Sequence, residues 1–251
     1  MKNAIIKLRG RGYLIGNLLF LSVLLLILPA FSVCLSILPE VATQLLSDLS
    51  EKVQSITVIV LSLLIIVTLF CIFSIFGMGL CRYFLRKAER KGGRLKDIFF
   101  YFSPSESFGV LSFFIRYMTM KVLLFAICFL PFFICSIFLG RLIKYSASLG
   151  VAFVLIFTDF LFLLLGIVVF SLFNTSLFLV KYYYANGTFL NFRQLVASSQ
   201  CEMKNKGKSL LKLQLSFAGW FISCLTVIPS VYVILYYSQS KAVLAAEFMN
   251  G

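Results

Sequence analysis

The chain alternates long uncharged apolar runs with short basic segments. No charged residue falls between Leu14 and Leu38, and none between Ile56 and Cys81. A helix needs ~20 apolar residues to cross the hydrocarbon core of a bilayer, and both runs exceed that. The pattern predicts an all-α integral membrane protein, a polytopic helical bundle. Five spans are expected: residues 14–38, 56–80, 122–140, one within 149–180, and 213–237. The connections are short, so residues 1–251 read as a single transmembrane helical domain. The stretch from Leu149 to Val180 carries only Asp159 as a charge. It is too long for one straight span and too short for two with a turn. A hidden half-span here or in the tail would make six.

Local signals refine these elements. Ser103-Pro104-Ser105-Glu106 reads as a helix start, with a capping Ser, Pro at the first helical position and a Glu three residues after the cap. Phe108, Leu111, Phe114 and Ile115 then recur at helical spacing, as on a helix lying at the membrane surface. Ser199 and Glu202 have the spacing of a second capping box. Gly92-Gly93 and Gly207 are expected to interrupt helices. Pro29, Pro131 and Pro229 put one proline in each of three spans, where each frees a carbonyl.

Composition agrees with the pattern: 61% of residues are hydrophobic and 13% charged, against ~25% charged in soluble domains. The net charge of +14 would suit nucleic acid, but the Lys and Arg sit between spans and are read as topology signals. No nucleic-acid partner is expected. With Lys2, Lys7, Arg9 and Arg11 cytoplasmic, nineteen basic residues fall on that side. Only Lys52, Arg141, Lys144 and Lys241 fall on the other. The positive-inside rule then places the first segment in the cytoplasm and, after five crossings, the last segment outside.

Chemistry narrows the picture mainly by exclusion. The chain has no His, which removes Ser-His-Asp and Cys-His catalysis and His-ligated zinc. Its seven cysteines form no CxxC pair, and buried Cys usually behaves as a small hydrophobe. No catalytic, cofactor or metal residue is assigned, and the chain is read as no enzyme. Asp159 is the candidate intramembrane polar site, because an ionisable group in a bilayer normally has a partner; Arg141 and Lys144 are the partners the sequence offers. Counting from Leu149 puts Asp159 near mid-membrane, and counting back from Lys181 puts it at the boundary. Arg82, Arg86, Lys87, Arg90, Lys91, Arg94, Lys96, Lys204, Lys206 and Lys208 are candidate contacts for anionic lipids, worth about 1 kcal/mol each near a surface. Gly77, Gly79, Gly219, Ser223 and Trp220 are candidates for tight helix packing.

Two segments carry a resemblance. One is Ser198-Ser199-Gln200-Cys201-Glu202-Met203-Lys204-Asn205-Lys206-Gly207-Lys208 with Leu213-Gln214-Leu215-Ser216-Phe217-Ala218-Gly219-Trp220. The other is Gly77-Met78-Gly79-Leu80-Cys81-Arg82-Tyr83-Phe84-Leu85-Arg86-Lys87-Ala88 with Asp97-Ile98-Phe99. Together with Ala245-Ala246-Glu247-Phe248 they resemble an uncharacterised family of bacterial multi-pass membrane proteins, domain of unknown function nine-seventy-five. The likeness covers roughly residues 75–251. Met249 stands where that family has a second aromatic, and Tyr236-Tyr237 where it has Pro-Tyr. A more distant likeness is to the membrane domain of some glycerophosphodiester phosphodiesterases. The resemblance implies a multi-pass protein of the bacterial cell membrane and carries no activity.

Two functions are therefore expected to compete. One is a non-enzymatic scaffold or accessory protein for export, envelope maintenance or immunity, with membrane-protein partners or a second copy of itself. The other is a small transporter or lipid-handling protein using Asp159 and the proline-kinked spans.

Overall fold

The computed structural model describes residues 5–10, 32–33, 37, 39, 41, 51–90, 93–145, 149–188, 191–222 and 227–250. Among these there is no strand. Residues 5–10 are helical. Six further helices follow: α1 Glu51–Ala88, α2 Pro104–Tyr145, α3 Leu149–Ser176, α4 Val180–Ala185, α5 Phe192–Ile222 and α6 Val227–Asn250. Two 3-10 turns, Leu95–Asp97 and Phe100–Phe102, join α1 to α2. Three stretches are long and apolar enough to cross a membrane: Ser55–Ala88, Pro104–Arg141 and Phe153–Ala185. The expected first span, residues 14–38, lies mostly outside the described residues.

Each of these helices follows from its sequence. α1 carries no proline across its apolar run and ends just before Arg90 turns left-handed at φ 59°. That stop comes just before Gly92-Gly93. α2 starts at Pro104, as the Ser103-Pro104 signal predicts, and Ser103 is extended, as a cap must be. It then continues without a break through Pro131. The Leu149–Val180 stretch forms a single 28-residue helix, α3, followed by a turn at residues 177–179.

Contacts group the chain into two compact units. The first comprises Met1–Leu111, Lys181–Thr188 and Lys212–Gly251. Its core is the second half of α1 (Phe76, Met78, Tyr83, Phe84 and Leu85), Ile98 and Tyr101 from the 3-10 turns, and Val233, Leu235 and residues 242–246 of α6, all buried. The Gln239 side-chain amide donates to the Phe84 carbonyl at 3.4 Å, joining α6 to α1. Residues 5–10 belong here too: Lys7 Nζ donates to the Ser216 carbonyl at 2.8 Å, and Arg9 pairs with Glu247 at 3.2 Å.

This unit corrects the expected last span. One straight helix over residues 213–237 would separate Phe217 from Tyr236 by ~28 Å. Their rings are 5.0 Å apart, and Phe217 is 5.2 Å from Tyr237. The chain turns back on itself, so α5 and α6 are the two arms of a hairpin. Both arms are apolar where they meet, and hydropathy alone reads them as one span. The pairing of Arg9 with Glu247 also sets residues 5–10 beside the end of α6.

The second unit comprises Ser112–Val180 and Phe189–Leu211. α2 and α3 pack at Gly166, where a Cβ would lie 3.2 Å from the Cys128 carbonyl and the Phe129 ring. Phe125, Phe129 and Phe170 form an aromatic cluster at the same contact. Early in this part of α2, Phe113 and Tyr117 are buried, with Phe113 edge-on to Phe192. Of the stripe expected to meet the membrane surface, Phe108 and Ile115 are exposed. Ser199 does not start a helix either. It lies inside α5, buried, donating to the Ser176 carbonyl at 2.7 Å and accepting from the Leu179 N–H at 3.2 Å. It thereby satisfies backbone groups that the end of α3 leaves open. Gly207 does not interrupt α5.

Candidate functional site

Asp159 sits ten residues into α3, so helix extends about 15 Å before it. Ser136 of α2 donates to its Oδ2 at 2.7 Å. Its Oδ1 is buried with no hydrogen-bond partner among the described residues. The partner is therefore a hydroxyl five residues short of Arg141, and Arg141 is exposed. The side chain of Lys144 lies outside the described residues. Close by, an apolar cavity of about 410 Å³ is lined by Pro131, Cys128, Phe162, Gly166 and their neighbours. Asp159 is not among its lining residues.

The basic residues after α1 divide by what they touch. The Arg82 guanidinium lies 3.5 Å above the Phe100 ring, a cation–π contact. Arg86 pairs with Asp97 at 2.7 Å, and the other Asp97 oxygen accepts the Arg94 backbone N–H at 2.8 Å. Lys87 donates to the Tyr83 hydroxyl at 3.1 Å. Arg82 and Arg86 hold the 3-10 turns against the end of α1, and the Lys87 bond stays within that helix. Burial pushes the Tyr101 phenol above its ordinary pKa, against the lowering pull of a hydrogen bond with Arg82. Arg90, Arg94 and Lys96 are exposed, and Lys91 lies outside the described residues. Sequence reasoning passed over Asp97, a buried carboxylate whose signal was its place between Arg94 and a run of aromatics.

In α5, Lys206 pairs with Glu202 at 2.8 Å. Lys204 and Lys208 instead line a cavity of about 630 Å³ with Leu172, Phe173, Thr175 and Leu211. The packing candidates also divide. A Cβ on Gly79 would overlap the Ile98 carbonyl oxygen, so only glycine allows that turn to approach α1. Among the described residues, Gly77 and Gly219 have nothing within 4 Å of such an atom. Trp220 is exposed and edge-on to Tyr236 at 6.4 Å. Ser223 lies outside the described residues. The chain matches no family model, no curated protein and no solved structure.

Proposed function

We propose that this chain is a non-enzymatic scaffold or accessory protein of the bacterial cell membrane, serving export, envelope maintenance or immunity through partner helices. The resemblance to a multi-pass family of unknown function supplies the bacterial setting. The topology that best suits the contacts is four crossings (residues 14–38, α1, α2 and α3) followed by the α5–α6 hairpin in place of a fifth span. The segments bearing most of the Lys and Arg then face the cytoplasm, and residues 5–10 and 247 share that side.

The observation that carries this reading is the use made of Asp159. It is bonded to Ser136, between two apolar helices, and the cavity beside it is apolar and does not include it. Such an acid acts as a clip between helices, since a polar pair in lipid has few other partners. A small transporter or lipid-handling protein is the second reading, favoured by the lysine-lined cavity on α5.

The two readings part at Asp159→Asn. An amide oxygen still accepts from Ser136, so a clip survives. Asp159→Asn is expected to keep wild-type thermal stability and the partner that co-purifies from native membranes, while Asp159→Ala lowers the melting temperature. If Asp159→Asn folds normally but impairs function as fully as Asp159→Ala, the scaffold reading fails and proton or cation coupling takes its place.

A further inference from the structure

Three lysines stand close together on α5, and the structure gives them different neighbours. Lys206 is neutralised by Glu202 one turn away. Lys204 and Lys208, also one turn apart, form no ion pair among the described residues. Both line the cavity of about 630 Å³, whose other wall is the end of α3.

That wall is divided by polarity. Leu172 and Phe173 are exposed apolar side chains at the end of the apolar run of α3. Thr175 and Ser176 follow, but their hydroxyls donate back to the Leu172 and Phe173 carbonyls at 2.6 Å each. They offer little to a ligand, and the donors that remain are the two ammonium groups and the Gln200 amide. Met203 and Leu211 add apolar surface from α5, and Gly207 leaves the floor open between the lysines, with only Thr175 Oγ1 at 3.8 Å from where a Cβ would stand.

We infer that this cavity binds an anionic phospholipid. The phosphate lies between Lys204 and Lys208, and the start of an acyl chain lies along Leu172, Phe173 and Leu211. The occupant is chosen by charge complementarity and by the joining of a two-cation rim to apolar surface continuous with a membrane-spanning stretch. A soluble anion would use only the rim, and a neutral lipid only the wall. This inference goes beyond the scaffold reading and holds whichever way the Asp159 variants behave.

The test uses the full chain in nanodiscs of neutral lipid doped with phosphatidylglycerol, with bound lipid counted by native mass spectrometry. Wild type is expected to retain phosphatidylglycerol over phosphatidylcholine. The double variant Lys204→Gln, Lys208→Gln should lose that selectivity by roughly thirtyfold, the product of about fivefold per lysine at a membrane surface. Lys206→Gln should change it less than twofold. Gly207→Phe, which fills the floor and keeps both lysines, should also lose retention. Equal effects of all three lysines would mean a diffuse electrostatic surface and would overturn the site. Displacement of the lipid by equimolar soluble glycerol phosphate would overturn it as well, because the acyl chain would then contribute nothing. Melting temperatures of the variants without anionic lipid separate lost binding from lost folding.

Discussion

The two halves of α1 differ in composition and in surroundings: residues 56–67 are aliphatic apart from Thr57 and Ser62, and residues 76–85 hold three aromatics, two glycines and Arg82. From Ile56 to Val67 its large side chains are mostly exposed, with Leu63 at 63%. From Phe76 to Leu85 they are mostly buried, with Leu85 at 1%. The first half has the surface of a helix that meets lipid. The second half lies in a protein core built with α6, residues 5–10 and the turns after α1. Both halves carry apolar side chains that leave water, because lipid tails and a protein interior are both apolar. They differ in close packing and in polar partners, such as the exposed Arg86 on the buried Asp97 and Gln239 on the Phe84 carbonyl.

Leucine-to-alanine substitution should expose that difference most strongly. Leu85→Ala leaves a cavity in a filled core and is expected to cost about 2–5 kcal/mol. Leu63→Ala should stay within about 0.5 kcal/mol, because lipid closes over the missing atoms. Thermal unfolding in one detergent compares them directly, and equal losses would erase the distinction between the halves. Asp97→Ala comes next. It strips Arg86 of its partner and leaves the Arg94 N–H unbonded, for an expected loss of about 1–3 kcal/mol. Protease cleavage between residues 93 and 103 should rise with it, and unchanged cleavage would show that the ion pair does not hold the turns. A small gain, in place of a loss, is expected at Gly77→Ala. Open space there should let the better helix former add up to about 1 kcal/mol, and a loss in the same melt would mean a neighbour lies closer than the geometry gives.

The same contrast explains what could be read from the sequence. The apolar runs located α1, α2 and α3 because length and absence of charge suffice for that. Ser103-Pro104 located the start of α2 because a cap is a local device. The hairpin of α5 and α6 was not legible. Phe217 and Tyr236 look like members of one span until their contact is seen. Ser199 was misread because its role is tertiary: it satisfies the end of α3, 23 residues earlier. The spacing that suggested a capping box carried no information about that neighbour. For the candidate sites, spacing grouped Gly77 with Gly79 and Lys206 with Lys204 and Lys208. The structure separates both sets, because a shift of two residues along a helix turns a side chain toward a different neighbour.

We propose that the last apolar stretch folds back and does not cross, with residues 5–10 and the end of α6 together on the basic, cytoplasmic face. The most direct test is a pair of reporters fused after residue 251. The account predicts a fluorescent green fluorescent protein fusion and an inactive alkaline phosphatase fusion. An active phosphatase with a dark fluorescent fusion would put that end outside, restore a fifth crossing and contradict the hairpin.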